Sequence, residues 1–302
     1  MGVLVLMVTY TRMIGELISF EALDNLQLEG FLCESPGAKT CIIHIHGMTD
    51  NFVGLSLVDS IMGAAISNGI SFFTINTRGM GSITAFHRLR HHIIARTIGT
   101  SFENFKECVF DIHAAIRVLR ARGYRKFILS GHSTGCQKVA YYQARKNARN
   151  VKGIILLGPA DDTNYQVKRL GRRAFNAHLE VARKLVRSGK GKEILPFEVE
   201  PTYFCAKRYY EIYRPGSIEG NLFNYEGSMK MVSKIKVPVL SLFGEKEEFA
   251  AMSVKKMLRI LGQKFTHPYS KEIMVKSADH CFCLYEHKAQ DVVEGWLKHL
   301  PG

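Results

Sequence analysis

Apolar runs and helix-length stretches alternate along the first half of the chain. Runs rich in Ile, Leu, Val and Phe are predicted strands at residues 40–46, 70–76, 127–129 and 151–157. Helical periodicity separates them at 52–68, 105–120 and 136–147. The strands are almost wholly apolar, as strands are when helices cover both faces of a sheet. The alternation therefore predicts a doubly wound, mostly parallel sheet.

The pattern changes on both sides of this region. Residues 16–20 and 26–32 read as an antiparallel hairpin at the edge of the sheet. From 161 to 231 the alternation stops, and basic amphipathic pieces predict a mostly helical insertion. Strand and helix patterns then resume at 237–243, 252–261, 272–275 and 288–299. We therefore expect a core formed by residues 1–160 and 232–302, with an insertion at 161–231.

Composition is that of a globular protein that can bury a large core. Of 302 residues, 46% are hydrophobic and 23% are charged. No apolar run approaches the roughly 18 residues that a membrane span needs. The apolar start at residues 2–8 has no preceding Lys or Arg, which disfavours a signal peptide, and residues 1–12 can be read as an extension before Met13. The seven cysteines include no Cys-x-x-Cys pair, which predicts buried thiols in a reducing, cytoplasmic compartment.

A net charge of +14 favours an anionic partner. Residues 163–235 contain 14 Lys and Arg against 7 Glu and no Asp, an excess of +7. A second basic run spans residues 87–96, and we expect both runs on the active-site side of the sheet. Because no nucleic-acid motif accompanies the charge, an anionic substrate or peripheral contact with an anionic membrane is favoured over nucleic acid. Scattered Lys and Arg on a solvated face are the simplest alternative.

The strongest chemical signal is Gly131-x-Ser133-x-Gly135, which lies between a predicted strand and a predicted helix. That order is the one a nucleophile elbow requires, and the glycines leave room for a strained serine backbone. An ordinary strand-to-helix turn would fit the pattern alone. An elbow serine also needs a base, an acid that holds the base, and oxyanion donors.

The base predicted for Ser133 is His280, in a loop between the last predicted strand and the last helix. The predicted acid is Glu247, three residues past the glycine that ends the strand at 237–243. Four other carboxylates remain alternatives: Glu245, Glu248, Asp161 and Asp162.

Two backbone N–H groups are expected to form the oxyanion hole. One belongs to Thr134, directly after the serine. The other belongs to Met48, in the loop after the strand at 40–46, where Gly47 lets the backbone turn. The preceding His46 is expected to hydrogen-bond within this loop and not to take part in the chemistry.

Together these pieces resemble the α/β-hydrolase superfamily, and most closely its serine esterases, lipases and acyl-peptidases. The resemblance covers roughly residues 40–160 and 235–300. It implies an eight-stranded, mostly parallel sheet, a catalytic triad and a variable cap after the sixth strand, for which the insertion at 161–231 fits. The elbow Gly131 to Gln137 looks more faintly like that of a fungal siderophore-esterase family. A glutamate at position 247 departs from the aspartate that most members carry.

We therefore expect a serine hydrolase that cleaves a small-molecule carboxylic ester through an acyl-enzyme, and the net charge favours an anionic ester. A thioesterase, acyltransferase, C–C hydrolase or peptidase would use the same triad. A basic binding protein on a hydrolase scaffold is the alternative from another class. The chemistry requires no metal or organic cofactor. Tyrosines between 203 and 213 can line a substrate pocket or, as we favour, pack helices.

Overall fold

The computed structural model describes residues 14–89 and 93–300. The predicted extension at residues 1–12, and Arg90, His91 and His92 of the second basic run, lie outside the described residues. Within them, none of the helices has both the length and the apolar character needed to cross a bilayer.

The described residues contain ten strands, eight α-helices and two short 3₁₀ helices, Phe105–Glu107 and Val232–Lys234. The strands are Glu16–Glu21 (β1), Gln27–Cys33 (β2), Thr40–Ile45 (β3), Ser71–Ile75 (β4), Ala85–Leu89 (β5), Ile93–Thr97 (β6), Lys126–His132 (β7), Val151–Leu157 (β8), Val239–Gly244 (β9) and Lys271–Val275 (β10). The helices are Ser56–Ser67 (α1), Cys108–Ala121 (α2), Thr134–Lys146 (α3), Asp162–Leu170 (α4), Arg172–Arg187 (α5), Ala206–Tyr213 (α6), Val254–Lys264 (α7) and Glu286–Leu297 (α8).

Eight of the strands form one sheet in the order β1-β2-β4-β3-β7-β8-β9-β10. The hairpin β1–β2 and the pair β2–β4 are antiparallel, and the other neighbours are parallel. The eight-stranded, mostly parallel sheet predicted from the sequence is thus confirmed.

Successive side chains of the buried strands enter different hydrophobic layers, as their period of two requires. In β3, Ile42 packs with residues of α1 and α8, whereas Ile43 packs with residues of α2, α3 and α7. Ile42 and Ile43 are both fully buried. The sheet is therefore covered on both faces, which explains why its central strands are continuous apolar runs.

Two local differences from the sequence prediction have physical causes. Helix α1 begins at Ser56 and not at residue 52, because Phe52 and Val53 donate their backbone N–H groups to the side chains of Asn76 and Asn51. The basic run at 87–96 was not predicted to have regular structure, yet it contributes to the hairpin β5–β6. Its polar and basic side chains hide the strand pattern.

The segment 161–231 follows β8, the sixth strand of the main sheet, and contains helices α4, α5 and α6 of 9, 16 and 8 residues. It has an apolar cluster of its own, in which Tyr209 and Tyr213 are buried beside Phe175 and Phe204. Tyr203, in contrast, is 53% exposed. Tyr209 and Tyr213 therefore pack helices, which is the role favoured from the sequence for the tyrosines between 203 and 213.

A buried arginine ties the β1–β2 hairpin to the loop after β4 and to α2. The Arg78 side chain is fully buried, and its Nη2 lies 2.7 Å from Oδ1 of buried Asp111 and 3.0 Å from Oδ1 of Asp24. It also contacts Glu107. Asp24 in turn pairs with Arg96 at 3.4 Å, so part of the second basic run is neutralised by carboxylates.

Replacing Arg78 with Leu should destabilise the fold by about 3–5 kcal/mol, because it leaves Asp111 as an uncompensated buried charge. Arg122→Leu is the matched control, since Arg122 pairs with Glu16 at the solvent-exposed surface and the loss should be much smaller. Urea unfolding at neutral pH measures both. Equal losses in the two variants would show that the Arg78 cluster does not hold the hairpin.

Candidate active site

Ser133 occupies a strained turn between β7, which ends at His132, and α3, which begins at Thr134. Its φ of 52° and ψ of −125° lie in a region that L-residues rarely adopt, at a cost of about 1–3 kcal/mol. The conformation is held by a hydrogen bond from the Ser133 N–H to the Leu157 carbonyl, 2.8 Å long. The serine is only partly buried, while its neighbours on both sides are buried.

The glycines of the elbow are required by close backbone contacts. A Cβ at Gly131 would overlap the backbone of Gly135, and a Cβ at Gly135 would overlap the carbonyl of Ile45 at the end of β3. A Cβ at Gly47 would lie 3.1 Å from Cβ of Ser133. The loop after β3 therefore approaches the serine closely.

His280 and Glu247 form a buried pair at this edge of the sheet. Glu247 follows β9 and His280 follows β10, and Nδ1 of the imidazole lies 2.7 Å from Oε1 of the carboxylate. The side chains are 5% and 1% exposed, so the contact is shielded from water. The ring nitrogen and the oxygen are close, but their alignment does not meet the geometry of a hydrogen bond. The rings of Phe249 and His132 lie on the imidazole at centroid distances of 4.7 and 4.8 Å.

The four alternative carboxylates have other partners. Glu245 accepts the backbone N–H of Ser277 at 2.9 Å, and Glu248 accepts that of His280 at 2.7 Å. Asp161 accepts the N–H of Asn164 and so caps α4, while Asp162 accepts an N–H of the Gln137 side chain at 2.9 Å. Among the five candidates, Glu247 is the one whose carboxylate contacts the imidazole.

Ser133 and His280 both lie close to the Leu157–Gly158 segment. Leu157 accepts the Ser133 N–H, and a Cβ placed on Gly158 would lie 2.9 Å from Nδ1 of His280. In the described part of the chain, Ser133 Oγ has no hydrogen bond. Catalytic hydrogen bonds are often long or poorly aligned until substrate binds, so a serine without a hydrogen bond in the free protein is compatible with a serine–histidine pair.

The two amides predicted for an oxyanion hole belong to Met48 and Thr134. Within residues 14–89 and 93–300, neither N–H has an acceptor. The loop that carries Met48 is fixed by its neighbours. His46 Nδ1 lies 2.7 Å from the Gly47 carbonyl oxygen, and the Thr49 N–H donates to Thr100 Oγ1 at 2.9 Å. The Met48 side chain packs against the apolar cluster of α4–α6.

His132 is a residue of the site that the sequence analysis missed. Its Nε2 lies 3.1 Å from the carbonyl oxygen of His280, so it supports the backbone that carries the predicted base. Its position inside the elbow motif, directly before Ser133, is the signal that would have indicated it. His46 has the structural role expected, since its Nε2 accepts the N–H of Thr77 at 3.1 Å.

Three buried histidines near the sheet edge are held neutral. Burial is the main cause that lowers the pKa of His44 and of His132 to about 3 and that of His46 to about 4; His46, His280 and Lys138, respectively, contribute in the same direction. Burial acts in the opposite direction on a carboxyl, and it raises the pKa of Asp162 to about 8 with help from nearby Glu219 and Asp161.

These pKa values predict acid sensitivity. Below the ordinary histidine pKa of 6.5, the unfolded chain binds protons that the three folded imidazoles exclude. The free energy of unfolding should therefore fall as pH decreases from 6.5 towards 4, by about 1.4 kcal/mol per pH unit for each histidine. Asp162 opposes one of the three, because its carboxyl is already protonated in the fold across this window. These four groups together thus contribute a slope of roughly 3 kcal/mol per pH unit.

Urea unfolding at pH 7, 6 and 5 measures this slope. His44→Gln removes one of the three histidines and should make the slope shallower by about 1.4 kcal/mol per pH unit. Unchanged or rising stability between pH 7 and pH 5 would contradict the assignment.

Solved structures of other proteins superpose on this chain over most of its length. A siderophore hydrolase, EstB from Aspergillus fumigatus, superposes with a TM-score of 0.68 at 17% identity, with 96% of this chain and 98% of that chain covered. The α/β hydrolase GrgF from Penicillium sp. sh18 gives 0.68 at 15% identity, with 95% and 99% covered. Est1E from Butyrivibrio proteoclasticus with bound ferulic acid gives 0.61 at 15%, with 93% and 98% covered.

Identities this low show the fold alone. The sequence has no significant match among curated proteins. A family model described as a protein of unknown function, DUF1749, matches residues 33–293. The chain therefore has an α/β-hydrolase fold and belongs to the DUF1749 family.

Proposed function

We propose that the protein is a serine hydrolase that cleaves carboxylic esters through an acyl-enzyme intermediate. The observation that carries this proposal is the buried His280–Glu247 pair, 2.7 Å apart, at the sheet edge where Ser133 occupies its strained turn. A strained serine alone would be a turn, and a buried histidine–glutamate pair alone would be a structural contact. Acyl-transfer chemistry needs the serine and the histidine–glutamate pair at the same edge of the sheet.

The proposed reaction starts with the Ser133 hydroxyl. His280 Nε2 takes its proton while Oγ attacks the ester carbonyl carbon, and Glu247 stabilises the imidazolium through Nδ1. The N–H groups of Met48 and Thr134 stabilise the oxyanion. His280 then protonates the leaving alcohol. Water then attacks the acyl-enzyme while His280 takes its proton; the bond between Ser133 Oγ and the acyl carbon breaks, the carboxylic acid leaves, and His280 returns the proton to Ser133 Oγ.

We further propose that residues 161–231 form a cap that shapes the substrate pocket. The Met48 side chain packs against the apolar cluster of this segment, so the segment lies over one proposed oxyanion donor. A cap in this position would select substrates by their acyl and alcohol groups. Two structural neighbours are a siderophore hydrolase, EstB, and Est1E with bound ferulic acid.

An anionic ester is the substrate class that the charge favours. Helix α5 exposes Arg172, Arg173, Lys184 and Arg187 to solvent, and no ion pair holds them among the described residues. Such a surface attracts anions from a distance. The same charge supports peripheral contact with anionic membranes, and unpaired thiols in the described chain are compatible with a cytoplasmic location.

Ser133→Ala should abolish hydrolysis of p-nitrophenyl acetate by several orders of magnitude while the fold remains intact, because the nucleophile is lost. Ser188→Ala, an exposed serine after α5, is the control and should retain the parental kcat/KM. Steady-state kinetics with circular dichroism test both. Parental turnover in the Ser133 variant would overturn the proposed nucleophile. A panel of thioester, amide and ester substrates separates the related activities.

Glu247→Gln should lower kcat by about 10²–10⁴-fold, because the imidazolium loses its counter-charge and its tautomer is no longer fixed. Glu245→Gln is the matched control, since Glu245 binds only the Ser277 amide and its loss should change kcat little. The measurement is the pre-steady-state acylation rate of each variant. If the Glu245 variant is the impaired one, the acid has been assigned to the wrong glutamate.

A further inference from the structure

Four buried charged side chains connect the segment 161–231 to the core. We call Arg208, Glu219, Glu103 and Lys138 the cap latch. Each is at most 3% exposed at its side chain, and the two positive and two negative charges balance. Arg208 lies on α6 and Glu219 follows it, whereas Glu103 precedes α2 and Lys138 lies on α3, the helix that begins after the elbow serine.

Arg208 is the centre of the latch. Its Nη2 lies 2.9 Å from Glu103 Oε1 and 2.6 Å from Glu219 Oε1, and its Nη1 also contacts Glu219. Its Nε donates to the carbonyl oxygen of Thr100 at 3.1 Å. One guanidinium therefore bonds three groups in fixed directions, which a lysine cannot do.

One path from the latch leads to the base of the oxyanion loop. Glu103 Oε2 lies 3.0 Å from Lys138 Nζ, and Lys138 Nζ donates to Thr77 Oγ1 at 3.2 Å. The Thr77 N–H donates to His46 Nε2 at 3.1 Å, so the neutral imidazole carries its proton on Nδ1. That Nδ1–H donates to the Gly47 carbonyl at 2.7 Å.

A second path reaches the same loop from its other end. The Thr100 hydroxyl accepts the N–H of Thr49 at 2.9 Å and donates to the carbonyl of Gly79 at 2.7 Å. The two paths thus fix the residues on both sides of Met48. The Met48 N–H itself has no acceptor in the described part of the chain and stays available.

Stability alone does not account for the latch. Burying four ions has a large desolvation cost, and well-packed apolar side chains of similar volume are often as stable. What apolar side chains cannot supply is direction. The hydrogen bonds of the latch fix Thr100 and, through Lys138, Thr77, and these two residues fix the backbone around Met48.

We propose that Arg208 is a positioning residue that holds the Met48 N–H in place for the oxyanion and so couples the cap segment to catalysis. The inference rests on the proposed hydrolase function and deepens it. Arg208 does not contact the reacting atoms. Its effect should appear in the stabilisation of the tetrahedral intermediate and not in the binding of the ground-state ester.

The test variant is Arg208→Lys, which keeps the buried positive charge and loses the bond geometry. We expect kcat to fall by about 10–100-fold with KM within about twofold, a smaller loss than deletion of an oxyanion donor causes. Affinity for a trifluoromethyl ketone, which forms a tetrahedral oxyanion on the serine, should fall in parallel with kcat. Arg214→Lys is the matched control, because Arg214 follows α6 and, in the described chain, binds Glu211 at the surface and the Pro215 carbonyl.

Thr100→Val removes the acceptor of the Thr49 N–H with little change of shape and serves as a second variant. If Arg208 acts through Thr100, the variant that combines Arg208→Lys with Thr100→Val should lose less kcat than the product of the fold-losses of the two single variants. The proposal is overturned if Arg208→Lys lowers only the melting temperature, or if kcat falls while ketone affinity stays parental. A wild-type protein that neither turns over esters nor binds the ketone would instead contradict the hydrolase function itself.

Discussion

The close approach between the elbow and the end of β3 is the contact on which the rest of the site depends. Gly135 lies so near the Ile45 carbonyl that no side chain fits between them, and Gly47 lies against the Cβ of Ser133. Ser133 has its positive φ at this approach, and the N–H groups of Met48 and Thr134 have no acceptor among the described residues. The strain at the serine is offset by packing within the sheet and its helices.

Buried charge is the second constraint. Arg78 joins the β1–β2 hairpin to α2, and Arg208 joins the segment 161–231 to the loops at the sheet edge. Both arginines bond several carboxylates at once, so each fixes the relative position of segments far apart in sequence. Both clusters carry a desolvation cost that hydrophobic contacts would avoid. Their hydrogen bonds fix the orientation of the joined segments as well as the distance between them.

Much of the fold was predictable because it depends on short-range pattern. Apolar runs separated by helical periodicity give a parallel sheet, and parallel strands end at one edge, so residues after β7, β9 and β10 had to lie near one another. The positions of Ser133, of the glutamates at 245–248 and of His280 follow from that argument. The hairpin β5–β6 did not, because residues such as His87 and Arg88 hide its alternation.

Other features depend on geometry that the order of residues does not contain. Three glutamates between 245 and 248 are equivalent as sequence, and only the path of the turn brings Glu247 to the imidazole. Arg208 and Glu103 are 105 residues apart, and their pairing needs the segment 161–231 to fold back over the sheet. The position of His132 directly before Ser133 was visible in the sequence, but its contact with the His280 carbonyl was not.

The central claim is that Ser133 is an activated nucleophile with an oxyanion hole formed by Met48 and Thr134. The crystal structure of the protein after treatment with a fluorophosphonate tests it most directly. The account predicts a phosphonyl group on Ser133 Oγ, with one of its oxygens within hydrogen-bond distance of both N–H groups. An unmodified Ser133, or an adduct whose oxygen faces away from both, would contradict it.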